Sequence, residues 1–457
     1  MHTTPDRYLG RLSSGECLPL TAADRRRHTY VVGKTGTGKS VFLLNLMHAD
    51  LLSGAGFAFL DPHGDAAVRI ASLAPRERRD VLYLDPSDPD YAFAFNPLAQ
   101  ISEDDRALAA ANIASAFKNI WADSWGPRLE YIFINALRLL LDASDQTLLG
   151  IPCLLADDRY RDWLVRRCRD PVVKKFWLNE FAGYESRQRA EAISPIQNKV
   201  GAFLTNPFTR AVLCQTSSTL DFARAMNEGR VLIFNLGKGR LGEQPAHLIG
   251  ALLVSAFAQA AEARADIDED ERRDFTLYVD EFQAYATDSF ATILSETRKW
   301  RLAIVAAHQY LGQLPDNLRD AVFGNVGSTI VFRVGGQDAR ILARELDMAN
   351  PAALSDVSPH HAWARIVHNG MPIEPKLIAT FPPPPAGLRF SQVRKHTRAF
   401  HTVPRAVVDR RIEAWIEDAW SKPPARKRRG VRNADQQFSP DAKRGLKSHA
   451  HRPRKVD

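Results

Sequence analysis

The feature that most constrains the fold of this 457-residue chain is a glycine-rich segment, residues 33–40, with the spacing G-x-x-x-x-G-K-[ST]. A run of β-branched and aromatic residues, 29–32, leads into it, and an apolar run of helical character, 41–52, follows it. Strand, glycine-rich loop and helix in this order are typical of a loop that binds nucleotide phosphates. The alternative, a surface turn rich in Gly and Thr, does not account for the full match in this context.

The residues of this loop have separate expected roles. Its glycines let the backbone curl so that successive N–H groups point at phosphate oxygens, and the following helix adds its positive N-terminal end. Lys39 is expected to reach the β- and γ-phosphates of ATP, and the Ser40 hydroxyl is expected to bind Mg²⁺. The residues predicted to contact the nucleotide are Gly33, Lys34, Thr35, Gly36, Thr37, Gly38, Lys39 and Ser40.

Buried strands alternating with helices predict an α/β fold with a doubly wound, mostly parallel sheet. Short apolar runs of this kind are GFAFLD, VLYLD, RVLIFNL, FTLYVDE, RLAIVAA and STIVFRV. An apolar fraction of 45% suits a large core, and the length allows one large domain with an insertion or two to three domains. Residues 7–20 alternate like a strand pair at the edge of such a sheet.

The composition and the residue patterns along the chain predict five segments. Residues 1–101 form the first part of the core, and residues 102–228, where helical patterns dominate, form an all-helical insertion. Residues 229–385 complete the core and end at a stiff FPPPP break. A short helical extension, 386–420, and a basic tail, 421–457, follow.

The net charge of +8 is concentrated in the tail. Residues 421–457 hold twelve Lys and Arg against three Asp, which is +9, so the preceding chain is close to neutral. With so few apolar residues the tail is predicted to be disordered. Contact with nucleic acid or anionic lipid, or a merely solubilising role, are equally compatible with it.

Neither an N-terminal signal pattern nor a long uncharged apolar run is present, so a soluble protein is expected. Four cysteines lie far apart without a C-x-x-C pair, which favours a reducing cytoplasm and buried thiols over a zinc site.

A second set of candidate residues follows the strand FTLYV. A P-loop protein needs an acid at a strand end for the Mg²⁺ shell and a group that deprotonates or orients the attacking water. Asp280 fits the first role and Glu281 the second. A simple turn is the alternative, which the P-loop about 240 residues upstream makes less favourable.

Two further residues lie around the next strand. Gln309 follows the strand and is placed to contact the γ-phosphate or the water, since ligands sit at strand carboxyl ends in doubly wound sheets; a polar cap is the alternative. Arg298 precedes the strand, as either a surface charge or an arginine finger for the ATP of another subunit.

Taken in order, several motifs resemble the HerA/FtsK superfamily of hexameric DNA-pumping ATPases, and most of all the conjugative coupling proteins of type IV secretion, of the TraD/TraG type. The motifs are RHTYVVGKTGTGKS, FLDPHGD, FNPL, YVDEFQ, SETRKWRL, AAHQYL and GNVGSTIVFRVGGQDA, and the likeness spans about residues 8–385. It implies a RecA-like core with an all-helical insertion, in a six-subunit ring with DNA in its channel. By this resemblance Asp280 binds Mg²⁺, Glu281 is catalytic, Arg298 acts in trans and Gln309 contacts the γ-phosphate.

One departure concerns the membrane. Coupling proteins of this type usually begin with transmembrane helices, whereas 32 mostly polar residues precede the loop here. We therefore expect a cytoplasmic or peripheral protein at the inner face of the membrane, with relaxosome or secretion-channel proteins as partners. Asp61 and His63 match the DPHG motif without a firm role.

Residues 284–290, together with Lys238 and Arg240 in residues 235–243, are candidate channel elements, although both segments also read as ordinary connecting loops.

The sequence leaves other functions open. The chain could be a HerA-like translocase for repair or defence, or a secretion ATPase that drives protein export. A non-hydrolysing relaxosome adaptor is a further alternative, against which Glu281, Gln309 and Arg298 together argue. A small-molecule kinase lacks a visible acceptor site.

Overall fold

A computed structural model describes residues 7–287 and 290–422. Its strands are β1 Arg7–Arg11, β2 Cys17–Leu20, β3 Thr29–Val32, β4 Gly56–Asp61, β5 Val81–Leu84, β6 Tyr91–Ala92, β7 Val231–Asn235, β8 Phe275–Val279, β9 Leu302–His308, β10 Ser328–Val331, β11 His361–Arg365, β12 Val367–His368, β13 Met371–Pro372, β14 Lys376–Ala379 and β15 Val403–Pro404.

Its α-helices are α1 Ala22–Arg25, α2 Lys39–Ser53, α3 Asp65–Ser72, α4 Arg106–Ile120, α5 Pro127–Leu141, α6 Gly150–Ala156, α7 Asp158–Arg167, α8 Pro171–Lys175, α9 Ser186–Leu204, α10 Pro207–Leu213, α11 Phe222–Glu228, α12 Lys238–Leu241, α13 Glu243–Glu262, α14 Phe290–Glu296, α15 Asp316–Asn325, α16 Gly336–Glu345, α17 Ala352–Ser355, α18 Phe390–His401 and α19 Arg405–Trp420. Single 3₁₀ turns occur at Ala122–Ser124, Phe282–Ala284, Thr297–Trp300 and Leu311–Gln313, and a π-helix at Phe176–Phe181.

Eleven of the described strands form one sheet, in the order β2-β1-β14-β11-β10-β3-β9-β8-β4-β7-β5. The seven strands from β10 to β5 are parallel to their neighbours, and the other four join them by antiparallel pairing. The predicted α/β class with a mostly parallel sheet is confirmed, and the expected hairpin of residues 7–20 lies at one edge.

Alternate residues of the parallel strands point to opposite faces, and both faces are buried. In β3, Val31 packs with α2 and α3 on one face, while Tyr30 and Val32 pack on the other. The second face is covered by α13 to α16 and by helices of the segment from α4 to α11. This two-sided burial is the reason why the strands read as continuous apolar runs.

Between residues 102 and 228 the described chain contains helices, α4 to α11, joined by loops, and no strand. These helices share one hydrophobic core with the sheet face that α13 covers, and α4 packs along α13. The helical character of this segment is therefore observed, whereas the domain boundaries at 102 and 228 stay predictions.

Residues 386–420, the predicted short helical extension, contain the two helices α18 and α19. The ring of Phe390 in α18 packs edge-on against Tyr83 of β5, with 4.9 Å between ring centroids. Thr397 Oγ1 accepts a hydrogen bond from the Tyr83 N–H at 3.0 Å, and Arg398 pairs with Asp88. This segment is thus built into the core.

A buried cluster around Asp50 ties the C-terminal end of α2 to two strands. Its carboxylate accepts hydrogen bonds from Arg7 of β1, from Arg25 and from the Tyr278 hydroxyl of β8, at 2.7–3.0 Å. Arg25 and Arg7 hold the pKa of Asp50 below its usual range although burial opposes this. The helix that begins at the phosphate loop is thereby fixed to β8, the strand that Asp280 follows.

Within residues 7–287 and 290–422, no helix combines the length and the apolar character that a membrane crossing requires. The predicted basic tail lies outside the described residues from position 423 onward.

Candidate functional site

The phosphate loop lies at the carboxyl edge of the parallel strands, between β3 and α2. Gly36 and Gly38 have φ values of 77° and 118°, a left-handed backbone that favours glycine. The loop is anchored at its base, because the Lys34 N–H donates to Arg333 O at 2.9 Å and Thr37 Oγ1 donates to Lys34 O at 2.7 Å. The predicted loop conformation, with a helix starting at Lys39, is therefore what the chain adopts.

Lys39 lies inside the curl of this loop. Its side chain is buried, and Nζ donates to the carbonyl oxygens of Gly33 and Lys34. Burial lowers the pKa of Lys39, while the charges of Asp280 and Glu281 act in the opposite direction. The structure thus brings the loop lysine into the field of the two acidic residues.

Asp280 and Glu281 follow β8 at the same edge. Asp280 is buried, and its carboxylate accepts the Glu281 N–H at 3.0 Å. Burial, together with the charges of Glu281 and Asp61, raises the pKa of Asp280 to about 7. Such a carboxylate is stabilised as an anion by a cation beside it.

Gln309 connects the loop to Glu281. Its Nε2 donates to Glu281 Oε1 at 2.9 Å, and its Oε1 accepts from Thr35 Oγ1 at 3.1 Å. The backbone before it is fixed by His308, whose ring contacts Tyr30 and Phe282 in a buried aromatic group. Burial lowers the pKa of His308 to about 3, so this side chain is neutral at physiological pH.

The residues present fit a Mg²⁺–nucleotide. Mg²⁺ takes oxygen ligands and is usually held by one or two protein groups together with phosphate oxygens and water. The Ser40 hydroxyl at the exposed start of α2 and the Asp280 carboxylate provide such oxygens. Asp280 is buried next to Glu281, and a cation at this place would balance the negative charges that raise the pKa of Asp280.

The DPHG segment has a structural role that the sequence left undefined. Asp61 at the end of β4 accepts hydrogen bonds from the His63 N–H at 2.9 Å and the Ala67 N–H at 2.7 Å. It therefore fixes the turn that leads into α3. His63 then lines a cleft of about 540 Å³ beside Glu281.

Arg298 is not brought to this site. It is exposed on the 3₁₀ turn Thr297–Trp300, before β9 begins, whereas Gln309 follows the end of that strand. The seven residues of β9 rise about 3.3 Å each, so the two ends of this strand lie roughly 20 Å apart. Among the described residues, no carboxylate forms an ion pair with Arg298 within 4 Å, although its neighbours Lys299 and Arg301 are paired.

The candidate channel segments lie close to the site. Lys238 forms an ion pair with Glu243 at 2.6 Å and lines the same cleft as Glu281, while Arg240 is exposed. In the other segment, the side chains of Tyr285, Ala286, Thr287 and Phe290 are buried in the core rather than presented to a channel. Positions 288 and 289 lie outside the described residues.

Sequence reasoning missed two glutamines. Gln283 Nε2 donates to Glu281 Oε2 at 2.8 Å, and Gln313 Oε1 accepts the N–H groups of Gln309 and Tyr310 at 3.3 Å each. The only available signal was their closeness in sequence to Glu281 and Gln309, which does not distinguish a contact from exposure.

Comparison with known proteins gives similarity in sequence and in fold. No family model matches the chain. The type 4 coupling protein DotL of Legionella pneumophila is 22% identical in an alignment of 362 residues that covers 65% of this chain and 46% of DotL. The chain thus spans less than half the length of this curated relative.

Solved structures match over most of the chain. The bacterial conjugative coupling protein TrwBΔN70 has a TM-score of 0.60 at 16% identity, covering 85% of this chain and 92% of that one. TrwB in complex with ADP and Mg²⁺ matches with a TM-score of 0.61 at 15% identity and the same coverage. VirB4 of Thermoanaerobacter pseudethanolicus matches with a TM-score of 0.56 at 13% identity, covering 83% of this chain and 97% of that one.

At these identities the structural matches establish the fold, which is that of the TrwB coupling protein. The motifs, the curated relative and the fold agree, so the predicted resemblance is confirmed: this chain is similar to the type 4 coupling protein DotL and to the conjugative coupling protein TrwB.

Proposed function

We propose that this protein is an ATP-hydrolysing motor that binds DNA and couples or pumps it in conjugative transfer through a type IV secretion system. The observation that carries the proposal is the meeting of the phosphate loop, Glu281 and Gln309 at the carboxyl ends of the parallel strands, where Gln309 hydrogen-bonds to both Thr35 and Glu281. These residues come from three separate strand ends. A nucleotide held only as a structural ligand has no need of this arrangement.

ATP and Mg²⁺ are the cofactors. Bound Mg²⁺, held through Ser40 and Asp280, neutralises charge on the phosphates. Residues 33–40 hold the phosphates, and Lys39 compensates the charge that develops on the γ-phosphate. TrwB has been solved with ADP and Mg²⁺ and with a non-hydrolysable ATP analogue, which supports this assignment.

Glu281 accepts a proton from the attacking water, and Gln309 holds its carboxylate in place. The water oxygen then forms a bond to the γ-phosphorus, the bond to the β-phosphate oxygen breaks, and ADP and phosphate are the products. Arg298 acts on the ATP of a neighbouring subunit in a homohexameric ring.

The partners of the ring are DNA in its channel and relaxosome or secretion-channel proteins at the inner face of the membrane. Similarity to a type 4 coupling protein and to TrwB supports this assignment.

The test is the ATPase rate of the purified protein with and without single- and double-stranded DNA, together with its mass in solution. We expect DNA to stimulate hydrolysis at concentrations where a hexamer forms. Hydrolysis that DNA does not change would favour a protein-export ATPase, and binding without hydrolysis would favour an adaptor.

Two variants distinguish binding from turnover. Lys39→Ala removes a charge that meets the β- and γ-phosphates, so both nucleotide binding and hydrolysis should be lost. Glu281→Gln should retain ATP binding and lose turnover. A normal rate in Glu281→Gln would contradict the role of Glu281 as the base, and measured nucleotide affinity separates the two variants.

A further inference from the structure

Two side-chain amides hold the Glu281 carboxylate, those of Gln309 and Gln283. Only Gln309 was predicted from the sequence as a site residue. Glu281 Oε1 accepts from Gln309 Nε2 at 2.9 Å, and Glu281 Oε2 accepts from Gln283 Nε2 at 2.8 Å. One N–H on each oxygen fixes both the position and the plane of the carboxylate. Gln283 therefore has half of the contacts that orient the proposed base.

The backbone that carries Gln283 is rigidly placed. Glu281 itself has a left-handed backbone with φ 49° and ψ 49°, which turns the chain sharply into the 3₁₀ turn of residues 282–284. Phe282 is fully buried against Phe290 and His308, and Tyr285 is fully buried against Gly250. Gln283 thus lies between two anchored side chains.

The other end of the Gln283 amide points to a second contact. Gln283 Oε1 is shielded from solvent, and among residues 7–287 and 290–422 no donor lies within hydrogen-bond distance of it. Gln283 lines the cleft of about 540 Å³ that Glu281, Gln309 and Gln313 also line. A shielded acceptor without a donor is costly, and a water molecule in a polar cleft can supply the missing hydrogen bond.

We propose that Gln283 is a further residue of the hydrolytic site, which orients Glu281 through Nε2 and accepts a hydrogen bond from the attacking water through Oε1. This inference rests on the proposed ATPase function. A water that donates one hydrogen to Glu281 and the other to Gln283 keeps both oxygen lone pairs free, and one of them can attack phosphorus.

In the reaction, the water oxygen bonds to the γ-phosphorus while the bond from phosphorus to the bridging β-oxygen breaks. One water proton moves to Glu281, and the electron pair of the broken bond stays on ADP. Gln283 gains and loses nothing; it fixes the direction of attack, which is worth a large rate factor when reactants are aligned.

The test compares Gln283→Met with Gln244→Met. Methionine has nearly the shape of glutamine without its hydrogen bonds. Gln244 lines the same cleft on an exposed part of α13, and among the described residues it has no hydrogen bond to Glu281. We expect Gln283→Met to lower kcat 10- to 100-fold with the KM and the affinity for ATP changed less than twofold, and Gln244→Met to match the wild type.

Two further measurements distinguish a loss of orientation at Glu281 from a general structural defect of the variant. Gln283→Asn keeps the amide one methylene further back, so an intermediate loss of kcat is expected with an unchanged melting temperature. In a single-turnover assay, Gln283→Met should add little to the loss already caused by Glu281→Gln, because the two residues act as one unit.

The outcomes distinguish the inference from the function on which it rests. A wild type that does not hydrolyse ATP contradicts both. If the wild type is active, two outcomes overturn only the inference about Gln283. The first is an unchanged kcat in Gln283→Met. The second is a double variant, Gln283→Met with Glu281→Gln, whose loss of rate is the product of the two single losses.

Discussion

His28 shows how a single residue sets the acid stability of the core. It lies just before β3, where its Nε2 hydrogen-bonds to Leu294 O at 2.9 Å and the Ile304 N–H donates to its Nδ1 at 3.0 Å. The ring is therefore neutral with the proton on Nε2, and a second proton would face the Ile304 N–H. Burial lowers the pKa of His28 to about 4.

The pH dependence of stability follows from this pKa. The unfolded chain takes up the proton below about pH 6.5, whereas the folded protein resists it until about pH 4, so stability falls as the pH falls through this window. The contribution is up to about 3 kcal/mol. His28→Asn should be less stable at pH 7.5, yet its unfolding free energy should depend less on pH between 6.5 and 4.

Denaturant unfolding at several pH values measures this difference. His368→Asn, in the short strand β12, is the control and should keep the wild-type slope. His308, which also resists protonation, is present in all three proteins and cancels in the comparison. Parallel curves for His28→Asn and the wild type would contradict the assignment.

At the scale of secondary-structure elements, the crossover helix α13 packs against the turn that carries Glu281. Tyr285 packs on Gly250, and a Cβ at position 250 would lie 2.2 Å from Tyr285 Cδ1. The same helix packs along α4 of the helical segment. We therefore expect a displacement of α13 to move the turn that carries Glu281.

Gly250→Ala should lower kcat for ATP about tenfold, because the Tyr285 ring must move and the turn moves with it. Alanine favours a helix interior over glycine by about 1 kcal/mol, so loss of helix stability is not the cause. Steady-state kinetics with a fixed nucleotide concentration series measures kcat and KM.

Gly201→Ala is the matched control for this prediction. Position 201 is inside α9, and a Cβ there meets nothing within 4 Å, so this variant should be equally active and slightly more stable. An unchanged kcat in Gly250→Ala would show that the turn absorbs the displacement without effect on the base.

At the scale of the whole molecule, Arg298 lies at the start of β9, at the opposite end of this strand from Gln309. We therefore predict ATP sites that are shared between neighbouring subunits. A trans arginine contributes on the order of 10³ to 10⁵ in rate, far more than a surface ion pair. Arg298→Ala should therefore bind ATP and barely hydrolyse it. Lys299→Ala, which removes an ion pair with Glu296 and a cation–π contact with the Trp300 ring, should retain activity.

A mixing experiment tests the sharing directly. Arg298→Ala and Glu281→Gln are each expected to be inactive, but mixed rings contain interfaces with an intact Glu281 and an intact Arg298. The ATPase rate is measured across mixing ratios at a concentration where rings form. If subunit exchange is confirmed and no ratio restores activity, Arg298 does not act in trans.

The basic tail is predicted to act through charge. Each DNA phosphate that the tail neutralises adds about 0.9 to the slope of log affinity against log salt. Truncation after Trp420 should flatten this slope and leave basal ATPase nearly unchanged. A tail of equal length with Lys and Arg replaced by Gln is the control for length. An unchanged slope favours a solubilising tail, and lost liposome binding favours contact with lipid.

The sequence by itself determined the elements whose signal is local. The phosphate loop, the parallel strands and the acidic pair after β8 are each encoded within a few consecutive residues. Spacing and apolar runs therefore located Lys39, Asp280 and Glu281, and Gln309 was located by its place after a strand. The antiparallel strands β11 and β14 were missed because short alternating runs at a sheet edge carry a weak signal.

Tertiary structure alone decided which of these residues meet. Glu281 contacts Gln309 because β8 and β9 are neighbours in the sheet, and strand order is not readable from spacing. The packing of α13 on the sheet buries Tyr285, which the sequence alone did not show. Gln283 shows the limit most clearly: two residues from Glu281, its contact depends on the left-handed backbone of Glu281, which the surrounding core imposes.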